Sequence, residues 1–280
     1  MSPSGSKAIV CGIDSSTQSC TIVARNPDTG GVLAFSRAPH SKTFPPKSEQ
    51  DPAEWWMALK KAIGEFDTHA ILALSIDGQG HGSVLLDESG NVLRKAKLWN
   101  DTETLKESQY LIEKLGKHEW IRLTSIVPVP AFTVAKLLWI QRNEPSIIER
   151  CRKILLPHDW LIYKMSGQFA TDRSEASGTG YFSPATSSWR PELLHLVNPD
   201  IDWLPMLPTV LGPDDIAGLT THQIEEEIGI PTGTPIASGC NDNPASALGL
   251  ALQNGDVCIS LGTSGTVFSP SRFPVFDENG

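Results

Sequence analysis

Short apolar runs separated by hydroxyl- and glycine-rich turns dominate the first third of the chain. Residues 7–14, 20–25 and 32–37 each carry the β-branched and apolar content of a strand. The segment Asn26-Pro27-Asp28-Thr29-Gly30-Gly31 reads as the turn between the second and third. Three sequential strands with short connections predict an antiparallel meander. Asp51-Pro52-Ala53-Glu54 then has the order of a helix start: a capping acid, a proline at the first helical position, an acid in the first turn. That helix is expected to reach Phe66, with Trp55, Leu59, Ala62 and Phe66 close to one face. After it, Ala70-Ile71-Leu72-Ala73-Leu74-Ser75-Ile76 is almost continuously apolar, as in a strand buried on both faces. This order of elements predicts an α/β layout with a mixed sheet.

Further along, a second hairpin is expected over 83–87 and 92–95, turning at Glu88-Ser89-Gly90-Asn91. Helical patterns fill 102–166, including 132–143 and 158–166, and loops rich in Gly, Ser and Pro fill 167–220. A strand at 234–238, a helix over 244–252 and a closing hairpin at 257–268 complete the pattern. That last strand–turn–strand unit repeats the one at the start, and the sequence then stops at Gly280. One domain is therefore expected to be complete and a second barely begun.

Composition narrows the functional classes. The 280 residues suit one large domain or two of ordinary size, and 40% hydrophobic with 20% charged content is that of a soluble globular protein. The net charge is −9 with no basic run, which argues against nucleic acid and anionic membrane as partners. No apolar stretch approaches the ~20 residues needed to span a bilayer, and the first residues lack the pattern of a signal peptide. Five cysteines without CxxC spacing, Cys11, Cys20, Cys151, Cys240 and Cys258, read as buried free thiols in a cytoplasmic protein.

The two echoing segments carry the first candidate chemistry. Gly12-Ile13-Asp14-Ser15-Ser16-Thr17-Gln18-Ser19 and Leu261-Gly262-Thr263-Ser264-Gly265-Thr266 each join two strands through a hydroxyl-rich turn. Such turns bring several backbone N–H groups and side-chain hydroxyls to one point, an arrangement suited to phosphate oxygens. Asp14 adds a carboxylate able to place Mg²⁺. In Gly239-Cys240-Asn241-Asp242-Asn243-Pro244, Asn243 reads as a helix cap, and Asp242 serves either that junction or proton transfer from a bound hydroxyl. The glycine-rich loop Asp77-Gly78-Gln79-Gly80-His81-Gly82 leaves Gln79 and His81 at the carboxyl end of a strand, where α/β sheets place ligands. Trp99-Asn100-Asp101 precedes a helix: Asp101 is its cap or a ligand contact, and Trp99 offers a wall for a sugar. Asp159, in His158-Asp159-Trp160, reads as a cap, and Trp55, Trp56 and Trp139 read as core. The GxxxxGK[ST] loop, the GxSxG elbow and HExxH are absent from the sequence.

Together with Thr171-Asp172 and Ser174 to Gly178, these segments resemble, in their order, the FGGY carbohydrate kinases, and most of all those acting on D-xylulose. The resemblance implies the actin-like ATPase fold. In that α/β fold, RNase H-like domains with a mixed five-stranded sheet and helices enclose sugar and ATP in a cleft. It implies a sugar-binding domain over residues 1–238 and the incomplete start of a nucleotide-binding domain over 239–280. By position, Asp242 is implied as the general base, and Asp14 as the acid placing Mg²⁺. Ser16, Thr17, Gly262, Thr263 and Ser264 are implied as contacts to the phosphates of ATP, and His81, Trp99, Asn100, Asp101 and Asn243 as the lining of the sugar pocket. Gly80 stands where many such kinases carry a larger side chain such as Met, which implies a wider pocket. The implied reaction is ATP-dependent phosphorylation of D-xylulose to D-xylulose 5-phosphate, with ribulose, gluconate and glycerol as competing substrates; a homodimer is compatible with it. Two other readings stand beside it: a truncated sugar-binding form without catalysis, and a retaining glycosidase using Asp14 and Asp242, which leaves both hydroxyl-rich turns unexplained.

Overall fold

The computed structural model describes residues 8–261, 265–273, 275 and 277. β1 (Ile9–Ser15) and β2 (Ser19–Arg25) pair antiparallel, and β3 (Val32–Pro39) continues the meander against β2. β4 (Glu49–Gln50) leads into α1 (Pro52–Ile63), whose capping Asp51 accepts from the Ala53 amide at 3.0 Å. The helix ends at Ile63, short of Phe66, and buries Trp55, Trp56 and Leu59. β5 (Ile71–Gly78) returns parallel to β1.

β6 (Val84–Leu86) and β7 (Ala96–Lys97) follow. A helical layer comes next: α2 (Leu105–Leu115), α3 (Lys117–Thr124), α4 (Thr133–Asn143) and α5 (Pro145–Arg150). β8 (Lys153–Leu155) then pairs antiparallel with β6. The expected hairpin at 83–95 is thereby reduced to a single bridge between Leu86 and Val92. α6 (Pro157–Ser166) packs on β5, and Asp159 sits in its first turn, accepting from the Leu156 amide at 2.9 Å. Asp159 therefore stands at the third helical position, where it accepts from the amide of the cap residue Leu156, and does not occupy the cap position.

The stretch expected as loops is richer than its sequence suggests. It contains β9 (Ala170–Asp172), α7 (Arg173–Ser177), β10 (Phe182–Ser183), β11 (Ser188–Trp189), α8 (Pro191–Leu194), β12 (Thr209–Leu211) and β13 (Ile216–Leu219). α9 (His222–Ile228), β14 (Pro235–Ala237), β15 (Cys240–Asn241) and α10 (Asp242–Gly249) precede the hairpin of β16 (Cys258–Leu261) and β17 (Gly265–Phe268).

The central sheet runs β13-β14-β5-β1-β2-β3, with β15 also paired to β5, giving seven strands among the described residues where five were expected. The additions are β13 and β15, two short strands held by pairing rather than by any periodicity of their own. One apolar core fills the space between this sheet, α1 and α6, around Trp55, Ile13, Ile22 and Ile76. A second lies among the helices, around Trp120, Tyr181 and Trp203. Cys11, Cys20 and Cys151 are buried, Cys240 and Cys258 half-buried, and all five are free thiols. Among the described residues no helix is long and apolar enough to cross a membrane.

Candidate active site

Three strands bring their carboxyl ends to one edge of the sheet. Asp14 on β1 is the register partner of Asp77 on β5, and Asp77 is that of Cys240 on β15. Asp242 follows β15 directly as the first residue of α10. The like charges are felt: burial and then the Asp14 carboxylate push Asp77 up to about 7. Desolvation and then the Asp14 charge raise Asp242 as well. Asp14 itself is raised by burial, against the pull of Ser16 and Arg37. In sequence Asp77 reads only as the head of the glycine-rich loop; β5 in fact runs on through Asp77 to Gly78 and carries the carboxylate beside Asp14.

The turn after β1 is held from several sides. Ser16 Oγ donates to both Asp14 carboxylate oxygens at 2.6 Å. Gln50 Nε2 donates to the Thr17 carbonyl at 2.9 Å, and His40 Nδ1 lies 2.9 Å from the Ser16 carbonyl. Trp99 Nε1 donates to Thr17 Oγ1 at 2.9 Å, which leaves the hydroxyl hydrogen of Thr17 for another acceptor. Its expected counterparts Gly262, Thr263 and Ser264 lie outside the described residues. Their flanks are an antiparallel pair, Leu261 opposite Gly265, and Thr266 Oγ1 donates to Asn243 Oδ1 at 3.5 Å.

The residues expected at a sugar pocket separate into two kinds. His81, at φ 65°, sets its ring edge-on to Phe132 and against the backbone of Gly178, where any Cβ would collide with it. Among the described residues its buried Nδ1 has no hydrogen-bond partner, nor do Asn100 Oδ1 and Gln79 Oε1. Burial, and then Lys136, lower His81 to about 4, so the imidazole is neutral at pH 7. Unpaired buried polar atoms are costly unless something else binds them. Asp101 is of the other kind. It is fully buried, and its oxygens accept from the Ser48 amide at 2.9 Å, the Glu103 amide at 3.1 Å and Lys97 Nζ at 3.2 Å. It does not cap α2, whose cap position is Thr104. Glu49, Asp101 and Glu103 have the spacing of a metal site, but the buried Lys97 ammonium pairs with all three.

The helix start also differs from expectation. The cap of α10 is Asn241, two residues before the expected Asn243, and its side chain accepts from the Asn243 amide at 3.3 Å. Asp242 is therefore the first helical residue, not an acid outside the cap. The pairing of β15 with β5 fixes this register. Gly239, at φ 72°, allows it, since a Cβ there would strike the Ile76 carbonyl. Space beside Gly80 is taken by the Asn241 carboxamide, so the absence of a side chain at 80 does not widen the pocket.

Residues 9–249 match the N-terminal domain of the FGGY family of carbohydrate kinases. The sequence is 39% identical over 275 residues to the xylulose kinase of Streptomyces rubiginosus, covering 97% of this chain and 56% of that protein. The solved xylulose kinase of Bifidobacterium adolescentis superposes with a TM-score of 0.89 at 33% identity, covering 98% of this chain and 61% of that one. A gluconate kinase of Lactobacillus acidophilus shares the fold, with a TM-score of 0.84 at 23% identity over 94% of this chain and 54% of that one. The mixed sheet and its helices are those of the actin-like ATPase fold. The chain thus spans 56% of the first of these relatives' length.

Proposed function

Because the chain belongs to the FGGY family of carbohydrate kinases, we propose that it carries the sugar-binding half of an ATP-dependent kinase converting D-xylulose to D-xylulose 5-phosphate. On this reading residues 1–238 are the sugar-binding domain and 239–280 open the nucleotide-binding domain. The observation that carries it is the meeting of Asp14, Asp77 and Asp242 at one edge of the sheet, with a carboxylate at the start of α10.

Asp242 acts as general base. Its carboxyl is raised from the ordinary range, which makes the carboxylate a stronger acceptor for the proton of the sugar's terminal hydroxyl. The hydroxyl oxygen bonds to the γ-phosphorus as the bond to the β,γ-bridging oxygen breaks, and ADP leaves with that electron pair. This transfer depends mainly on positioning and on charge stabilisation. His81, Asn100 and Gln79 offer their unpaired polar atoms to sugar hydroxyls, Asn243 borders them, and Trp99 forms an apolar wall. We assign Asp101 to shaping that wall from beneath, since its oxygens are already bonded.

Ser16, Thr17 and the turn at 262–264 are assigned to the phosphates of ATP. Asp14 with Asp77 beside it fits Mg²⁺, because hard carboxylate oxygens crowded together against their own repulsion suit such a cation. Bound there, the ion would neutralise charge on the transferring phosphate. Free thiols throughout fit a reducing, cytoplasmic setting. The test is D-xylulose-dependent ADP formation, set against ribulose, gluconate and glycerol. Asp242→Asn should abolish turnover and leave sugar binding in place; turnover retained in that variant removes Asp242 from the role.

A further inference from the structure

Behind Asp242 lies a buried polar assembly that the proposed chemistry does not use. Glu175 on α7 is fully buried, and its Oε1 accepts from Asn241 Nδ2 at 3.1 Å. Asn241 is the cap of α10, so its Oδ1 accepts from the Asn243 amide while its Nδ2 is held by Glu175. A second link runs alongside. The Asn241 amide donates to Ser174 Oγ at 2.9 Å, and Ser174 Oγ donates to Asp172 Oδ2 at 2.6 Å. The start of α7 therefore grips the start of α10 through both backbone and side chain, at the residue that precedes Asp242.

We infer that Glu175 is a positioning residue: through Asn241 it fixes the first turn of α10 and with it the carboxylate of Asp242. The inference rests on the reading of Asp242 as the base. Gly80 belongs to the same device, because a Cβ there would collide with Asn241 Nδ2 and lie 3.5 Å from Glu175 Oε2. His158, also fully buried, stands behind, with Nδ1 3.9 Å from Glu175 Oε1 and Nε2 3.8 Å from Asp172 Oδ1. Burial, followed by the charges of Asp159 and Asp172, drives the Glu175 carboxyl well above the usual range. Glutamine is a close replacement there, because it keeps the length of the side chain and an acceptor oxygen for Asn241 Nδ2.

The arrangement matters because displacing a reacting group by about 1 Å can cost on the order of 100-fold in rate. The experiment compares kcat and the KM for D-xylulose in Glu175→Gln, Glu175→Ala, Gly80→Ala and Asn241→Ala, with unfolding monitored to select folded variants. Glu175→Gln should keep kcat within about twofold, since its amide oxygen can still accept from Asn241. Glu175→Ala and Gly80→Ala should lower kcat by about 10- to 100-fold, with the KM for D-xylulose within about threefold. Combining Glu175→Ala with Asn241→Ala should be no worse than the poorer single variant, as for two members of one linkage. A folded Glu175→Ala protein with unchanged kcat overturns the inference, as does a glutamine variant no better than the alanine one. Asp242→Asn in the same assay judges the base separately: its retained activity would refute that reading and not the hydrogen-bonded linkage itself.

Discussion

Trp99 Nε1 donates to Thr17 Oγ1 at 2.9 Å, so the proposed sugar wall and the first hydroxyl-rich turn form one hydrogen-bonded unit. The same turn is tied through Gln50, which also accepts from Trp55 Nε1 at 2.8 Å and from Gln79 Nε2 at 3.2 Å. Trp99→Phe keeps an aromatic wall and deletes that bond. A bond of this kind contributes about 1 kcal/mol, so the KM for ATP should rise by about fivefold and the KM for D-xylulose should stay within about twofold. Steady-state kinetics with each substrate varied in turn would check this.

His81 gives the protein an acid-labile point. Its folded-state value of about 4 lies below the ordinary 6.5. Between those values the unfolded chain takes up a proton that the folded one refuses. Stability is therefore complete above about pH 6.5 and falls as the pH drops toward 4, by up to about 3 kcal/mol from this group. His81→Gln should lose less stability over that interval than the parent chain, as measured by urea unfolding at pH 7 and pH 4.5.

Gly178 leaves room for the His81 imidazole. Gly178→Ala should displace the ring, cost about 1–3 kcal/mol of stability and weaken D-xylulose binding by at least about tenfold. Calorimetric titration of the folded variant reads the second effect, and binding at parental strength would show that the ring position is immaterial.

Lys97 is fully buried among Glu49, Asp101 and Glu103, at 3.3, 3.2 and 2.6 Å. Lys97→Met removes one cation and leaves three carboxylates crowded without it. A loss of about 3–5 kcal/mol is expected, seen as a lower denaturant midpoint.

How much of this was visible beforehand depends on how local each cause is. The meander of β1 to β3, the start of α1 at Asp51 and the buried strand β5 were legible, because apolar runs, a Pro-containing helix start and a glycine turn act within a few residues. β13, β8 and β15 were not. Each has two to four residues and exists because a distant strand accepts its hydrogen bonds. The misplaced cap at Asn243 has the same origin: pairing of β15 with β5 moves the helix start to Asn241. The chemistry divides likewise. Asp14, Asp242 and His81 stood out against glycines and hydroxyls, whereas Asp77 reads as the head of a glycine-rich loop until β1 is set beside it. Asp101 reads in sequence as a helix cap or a ligand contact, and it is buried because the distant pairing of β4 with β7 brings Lys97 beside Glu49 and Asp101.

The central claim is that this chain recognises the sugar by itself, through His81 and its neighbours. Titrating the 280-residue protein with D-xylulose in a calorimeter, without nucleotide and with D-ribulose and glycerol as comparators, tests it most directly. The account predicts saturable D-xylulose binding, weaker or absent binding of the comparators, and loss of the D-xylulose signal in His81→Ala. Binding of a comparator in place of D-xylulose, or D-xylulose binding untouched by His81→Ala, would contradict it.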